Sequence, residues 1–281
     1  MVPTATAWVC ERWSTISELD FESRRQGFLG RLEESGEDAY YTNDLLNVRY
    51  LTGFNGTAAG LLVHARGDRS GAELLVDGRY RNYAEELAGS GLTVELVESS
   101  RPDLLNERLS QLEVESIHFE RPNLTYDQFL TLKNKASAPG DRKYGEDWIL
   151  EQRTEKTPVE VDAQREAIDQ TLEVFDLIES WVEPGLSEGA LSRAIRRELE
   201  SRSEGQAFDP LVLTGENTAN PHCPASEREL REDDVLLVDQ GLKIDGYCSD
   251  LTRMFFLGEP EEELRELYDL SKRAAAEAFR A

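Results

Sequence analysis

The stretch from Val235 to Gly258 limits the possible folds of this chain more than any other. Two apolar runs, Val235–Gln240 and Gly246–Leu257, flank Ile244-Asp245-Gly246, and Asp-Gly between such runs is a strong signal for a tight hairpin. A lone hairpin is marginal in water, so further elements must cover its apolar face. Folding the chain back around 244–246 puts Asp239 and Asp250 on neighbouring strands, within a rung or two of each other. Two facing carboxylates in a half-buried sheet repel and resist ionisation unless a cation or a proton lies between them. A pair of divalent metal ions meets that need, because one carboxylate bridges two ions. The other reading makes both residues solvent-facing acids beside a turn, and spacing alone leaves the two readings open.

The rest of the chain divides by pattern. Ala39–Thr42, Ala58–Val63, Glu73–Val76, Thr93–Val97 and Glu115–Phe119 read as strands, with helices expected over Tyr80–Ala88, Arg101–Leu112 and Thr125–Lys135. Strands alternating with helices indicate an α/β layer domain. Ala136-Ser-Ala-Pro-Gly-Asp141 reads as the linker, and Thr157-Pro158-Val159-Glu160 as a capping box that opens a helix. That helix repeats Val161, Ile168, Leu172, Phe175, Ile178 and Trp181 on one face, and Ser187 caps a second with Leu191, Ile195 and Leu199. Strands then follow, at Phe208–Thr214 and in the hairpin, and an acidic helix begins near Pro260. Two helices before antiparallel strands make the second half α+β.

Charge and cysteine use narrow the function classes. With 31 Lys+Arg against 56 Asp+Glu the net charge is −25, which argues against nucleic acid and anionic membranes as partners. No run of about 18 apolar residues exists to cross a bilayer. Met1–Trp8 lacks the basic-then-apolar pattern of a signal peptide, and Cys10, Cys223 and Cys248 are odd in number and scattered. A cytoplasmic location is the expectation. Only six residues are Lys, a balance that suits a halophilic source and equally a GC-rich genome. Gly-rich phosphate loops are absent, so no organic cofactor is expected.

His222 lies in Asn220-Pro221-His222-Cys223-Pro224, a loop of restricted conformation. It reads either as a proton donor beside a metal site or as a loop histidine satisfied by backbone. His64 and His118, on strands, read as structural. Cys248 reads as a small core residue, since no His-Asp system accompanies it.

Phe208-Asp-Pro-Leu-Val-Leu-Thr-Gly215-Glu-Asn217-Thr-Ala-Asn-Pro221-His222, then Asp239, then Gly246-Tyr-Cys-Ser-Asp250-Leu-Thr-Arg253, resembles the metallopeptidases of the creatinase-like pita-bread fold. Among these it looks most like the Xaa-Pro peptidases, aminopeptidase P and prolidase. Asn47–Gly56 and Leu75–Tyr80 resemble the family's creatinase-type N-terminal domain, and Arg153–Glu160 resembles the segment that opens its catalytic domain. The resemblance implies an α/β creatinase-type domain over 1–140, followed over 141–281 by the first half of an α+β pita-bread domain. It implies a two-metal hydrolase, with manganese expected first and cobalt or zinc as alternatives. Asp239 and Asp250 match two metal ligands, and His222 matches the active-site histidine. The substrate implied is a peptide with Xaa-Pro at its N-terminus or an Xaa-Pro dipeptide, and a homodimer is implied by analogy. Gln240 and Asn220 depart from the apolar or aromatic residues usual there. The family's remaining ligands, a His in a Gly-rich strand and two Glu, find no match before the sequence stops. An incomplete site, inactive by itself, is therefore expected. Two other readings stand beside this one: a non-catalytic peptide-binding module of the same fold, and a creatinase-like C–N hydrolase. The pairing of Asp239 with Asp250 favours the metal-dependent branch.

Overall fold

The computed structural model describes residues 19–66, 70–89, 91–98, 100–120, 124–134, 141–145 and 147–280. Met1–Trp8, Cys10, most of the expected linker and parts of the turns at 66–68 and 90–91 lie outside the described residues. Two compact units are present, one Glu18–Lys156 and the other taking in Thr157–Ala281.

The first unit opens with α1 (Phe21–Ser35), capped by Asp20, whose carboxylate accepts from Ser23 N at 2.8 Å. It continues with β1 (Ala39–Thr42), α2 (Leu45–Thr52), β2 (Ala59–His64), β3 (Gly71–Asp77), α3 (Arg81–Leu87) and β4 (Leu92–Val97). Then come α4 (Arg101–Gln111), β5 (Ser116–Glu120), α5 (Tyr126–Asn134), β6 (Asp141–Gly145) and α6 (Trp148–Thr154). The six strands form one mixed sheet in the order β4-β3-β2-β1-β5-β6, with β6 parallel to β5. Alternation along β1 sends Tyr40 into the core with Phe28, Val48 and Leu51, and Tyr41 into the opposite core with Leu105, Leu109 and Phe119. Both faces are covered, so β2 is buried along its whole length. The sequence reading omits α1, α2 and α6. Two of these hide in plain view, since α1 buries Arg24 and Arg25, whose guanidinium groups donate to Tyr50 O and Leu51 O in the last turn of α2. Cations there complement the negative end of the helix.

His64 is buried at the end of β2 and His118 is buried in β5, stacked on Tyr40 and against Trp148, both in structural settings. His64 Nε2 lies 3.6 Å from Glu73 Oε1, and Arg108 grips the same carboxylate through Nε and Nη2 at 2.8 and 2.6 Å. Burial alone would push the Glu73 carboxyl up, but Arg108 and His64 outweigh it and hold it at about 2. Because the folded-state value is lowered, the stabilisation is present above the ordinary glutamate range and is lost as pH falls from there towards 2. A gap of this size corresponds to about 3 kcal/mol. Urea unfolding of Glu73→Gln should therefore show a flatter loss of stability below pH ~4.5 than the wild type. Parallel curves for the two proteins would contradict the assignment.

The second unit starts at α7 (Pro158–Trp181), where the expected capping box forms: Glu160 Oε2 accepts from Thr157 N at 2.7 Å and Thr157 Oγ1 accepts from Glu160 N at 3.4 Å. The buried face differs from expectation. Ala163, Ala167, Thr171, Val174, Phe175 and Ile178 face inward, whereas Ile168 and Leu172 are exposed. Small residues on that face bring the helix close enough for Thr171 Oγ1 to meet Ser249 Oγ at 2.7 Å. Next come α8 (Glu188–Arg202), with Leu191, Ile195 and Leu199 buried as expected, and β7 (Leu211–Thr214). The remaining elements are β8 (Val235–Gln240), β9 (Lys243–Ile244), β10 (Tyr247–Cys248), β11 (Leu251–Phe256) and α9 (Glu262–Ala278). Asp245 and Gly246 both have positive φ, 50° and 86°, as a type I′ turn joining β9 to β10 requires. Cys248 is exposed rather than a core residue, because the short β10 turns it outward while Ser249 goes in. No helix among the described residues is long and apolar enough to cross a membrane.

Candidate active site

The three-stranded sheet β11-β8-β7 positions the aspartates. Along β8, Leu236 and Val238 are fully buried in the core with α7 and α8, so Leu237 and Asp239 point to the opposite face. Thr252 pairs with Asp239 across the β8–β11 ladder, and Leu251 pairs with Gln240. Asp250 stands just before β11, two residues from Thr252, which aligns it diagonally with Asp239 on the same side. A Cβ on Gly241 would collide with the carbonyl oxygen of Ser249, so only glycine allows the two strands this approach where they meet the aspartates.

Asp239 is half-buried and Asp250 is exposed. Burial is the main influence raising the Asp239 carboxyl above the ordinary aspartate range, and the charge of Asp250 adds to it. The hydroxyl of Thr252 works the other way, donating to Asp239 Oδ1 at 2.9 Å. Thr252 is a member of the site that the motif reading leaves out. Its signal is the two-residue step from Asp250, which on a strand means a shared face. This carboxylate pair is an oxygen-donor set suited to hard divalent ions, and a cation would offset the repulsion the pair now carries. Two carboxylates supply part of a coordination shell. Among the described residues no group of three or more His, Cys, Asp or Glu is placed to hold a metal ion.

His222 is placed differently. It is exposed on a turn that follows the 3₁₀ segment Gly215–Ala219, in the connection from β7 to β8. That connection leaves at Thr214, whose register partner is Leu236, three residues along β8 from Asp239. The separation along the strand is about 10 Å. So the structure brings Asp239 and Asp250 together and sets His222 on the loop that joins β7 to β8. Beside Thr252, a groove of ≈ 840 Å³ runs between β11 and α9, lined by Met254, Phe256, Leu267, Tyr268 and Lys272.

Comparison with known proteins follows the same division. The model of the creatinase/prolidase N-terminal domain matches residues 24–153, and that of metallopeptidase family M24 matches residues 162–281. The solved structure of a dipeptidase from Pyrococcus horikoshii OT3 is 30% identical, with a TM-score of 0.81 over 92% of this chain and 72% of that one. This chain belongs to metallopeptidase family M24. Another solved structure, that of the Xaa-Pro dipeptidase from Bacillus anthracis, is 26% identical with a TM-score of 0.82, over 89% of this chain and 69% of that one. The uncharacterized peptidase YqhT of Bacillus subtilis is 28% identical over 239 residues, 84% of this chain and 65% of its own length. The M24 chain described here spans 63% to 65% of the length of the first curated relatives it matches. The fold class is the expected one, a creatinase-type α/β unit followed by α+β structure of the pita-bread type.

Proposed function

We propose that this chain forms the N-terminal domain and the first part of the catalytic domain of a metal-dependent peptidase that cleaves the bond before proline, in Xaa-Pro dipeptides or at a peptide N-terminus. The observation that carries the reading is the convergence of Asp239 and Asp250 on one sheet face in a chain of this family. Asp239 and Asp250 would hold divalent ions, manganese first by the hardness of carboxylate oxygen. When bound, such ions supply positive charge that acidifies water and polarises an amide carbonyl. Thr252 fixes the orientation of Asp239 through its hydroxyl and leaves the second carboxylate oxygen open. His222 presents an imidazole on a turn bracketed by Pro221 and Pro224, suited to hold a substrate carbonyl or pass a proton to the leaving nitrogen. Two carboxylates are fewer ligands than a divalent ion takes, so further groups complete the shell. A cytoplasmic homodimer completes the proposal.

The test is hydrolysis by the polypeptide as its source cells make it. With Mn²⁺ it should release proline from Ala-Pro and leave Ala-Ala intact, and a chelator should abolish the activity. Equal turnover of both dipeptides, or turnover that survives chelation, would overturn the reading.

A further inference from the structure

One buried carboxylate closes the base of the loop that carries His222. Glu188 opens α8 beside its N-cap Ser187, yet it is fully buried. Its Oε1 accepts from Thr214 N at 2.7 Å and from Asn217 Nδ2 at 3.0 Å. Its Oε2 accepts from Ser226 N at 2.9 Å, Ser226 Oγ at 2.6 Å and Asn217 Nδ2 at 3.2 Å. Thr214 is the last residue before the loop 215–225, Ser226 is the first after it, and Asn217 lies inside it. Both ends and one interior point of the loop therefore hang on a single side chain. The backbone of α8 reinforces the same base, with Gly189 N donating to Ser226 O at 2.8 Å and Glu188 N to Arg228 O at 3.0 Å.

We propose that Glu188 is the positioning residue for His222, closing the loop 215–225 so that the imidazole is presented at a fixed place. The inference rests on the reading of His222 as the site histidine. The arrangement demands a carboxylate. Both oxygens face N–H donors, so a Gln here would set its own amide N–H against that of Thr214 or Ser226 and leave buried donors unpaired. Glu160 is the natural contrast: it too is a buried carboxylate at the start of a helix, but it binds Thr157 and Tyr247, away from this loop.

Nuclear magnetic resonance on the native polypeptide, as its source cells make it, tests this. The His222 ring signal is assignable from its loss in His222→Asn. In the wild type the amides of the non-proline residues in 216–225 should show order parameters of about 0.85, falling below about 0.6 in Glu188→Gln, with the His222 ring signal shifted. Glu160→Gln should leave both unchanged. A loop that keeps its order in Glu188→Gln, or that loosens equally in Glu160→Gln, overturns the proposal. If Glu188→Gln does not fold, Asn217→Ala and Ser226→Ala each remove a donor from the same carboxylate, and a rigid loop in both is the overturning result. The readout is where His222 sits. A His222→Ala enzyme that still cleaves Ala-Pro at the wild-type rate would instead overturn the role given to His222.

Discussion

Asp239→Asn and Asp250→Asn should each lower Ala-Pro hydrolysis by the native polypeptide at least ~10³-fold, the scale expected when a group that stabilises transition-state charge is lost. The same substitutions should leave metal-free stability intact, and that contrast separates a site from a scaffold. Burial and the charge of Asp250 both push the Asp239 carboxyl up. At any pH above its folded-state value, ionised Asp239 therefore costs stability instead of supplying it. Removing the charge at 250 relieves the part of that cost due to repulsion, so the metal-free melting temperature of Asp250→Asn should equal or exceed that of the wild type. Mn²⁺ should raise the wild-type melting temperature and not the variants'. Melting curves with and without Mn²⁺, run beside the assay, decide the matter. A destabilised metal-free Asp250→Asn that retains activity would show the pair to be structural.

The largest expected effect on stability lies three strand positions from Asp239. Leu236 is fully buried between the sheet and its two helices, whereas Leu237 is half-buried on the face that carries Asp239. Leu236→Ala should cost about 2–5 kcal/mol through lost transfer energy and the cavity left behind. That corresponds to a fall of roughly 10 °C or more in the melting temperature of the second unit. Leu237→Ala should cost less than half as much, because its neighbours on that side include solvent. Urea unfolding of the two variants measures the difference. Equal costs would mean that the alternation of β8 is misassigned, and with it the direction of Asp239.

The β-structure around the site was legible because each clue is local. Asp245-Gly246 needs two positive φ angles, and the apolar runs on either side take period two, so hairpin and aspartates follow from neighbouring residues. The capping box at Thr157 and the stripe on α8 are of the same kind. What the pattern hides depends on tertiary context. Arg24 and Arg25 look like surface charges until α2 supplies carbonyls for them. Ile168 and Leu172 look like core, yet the inward face of α7 is the Ala163–Ala167–Thr171 stripe, whose small size matters only because Ser249 lies opposite. Glu188 reads as an ordinary acid in the first turn of a helix. Its role appears only when Thr214 and Ser226 arrive from the far side of a loop, and no spacing in the sequence announces that. The pairing of β5 with β6 has the same character, because a parallel rung joins residues far apart in the chain.

The most direct measurement is anomalous diffraction at the manganese edge from crystals of the native polypeptide grown with Mn²⁺. The account predicts a peak between Asp239 and Asp250, within about 2–2.5 Å of a carboxylate oxygen from each. A peak at another place, or none where both carboxylates are ordered, would contradict it.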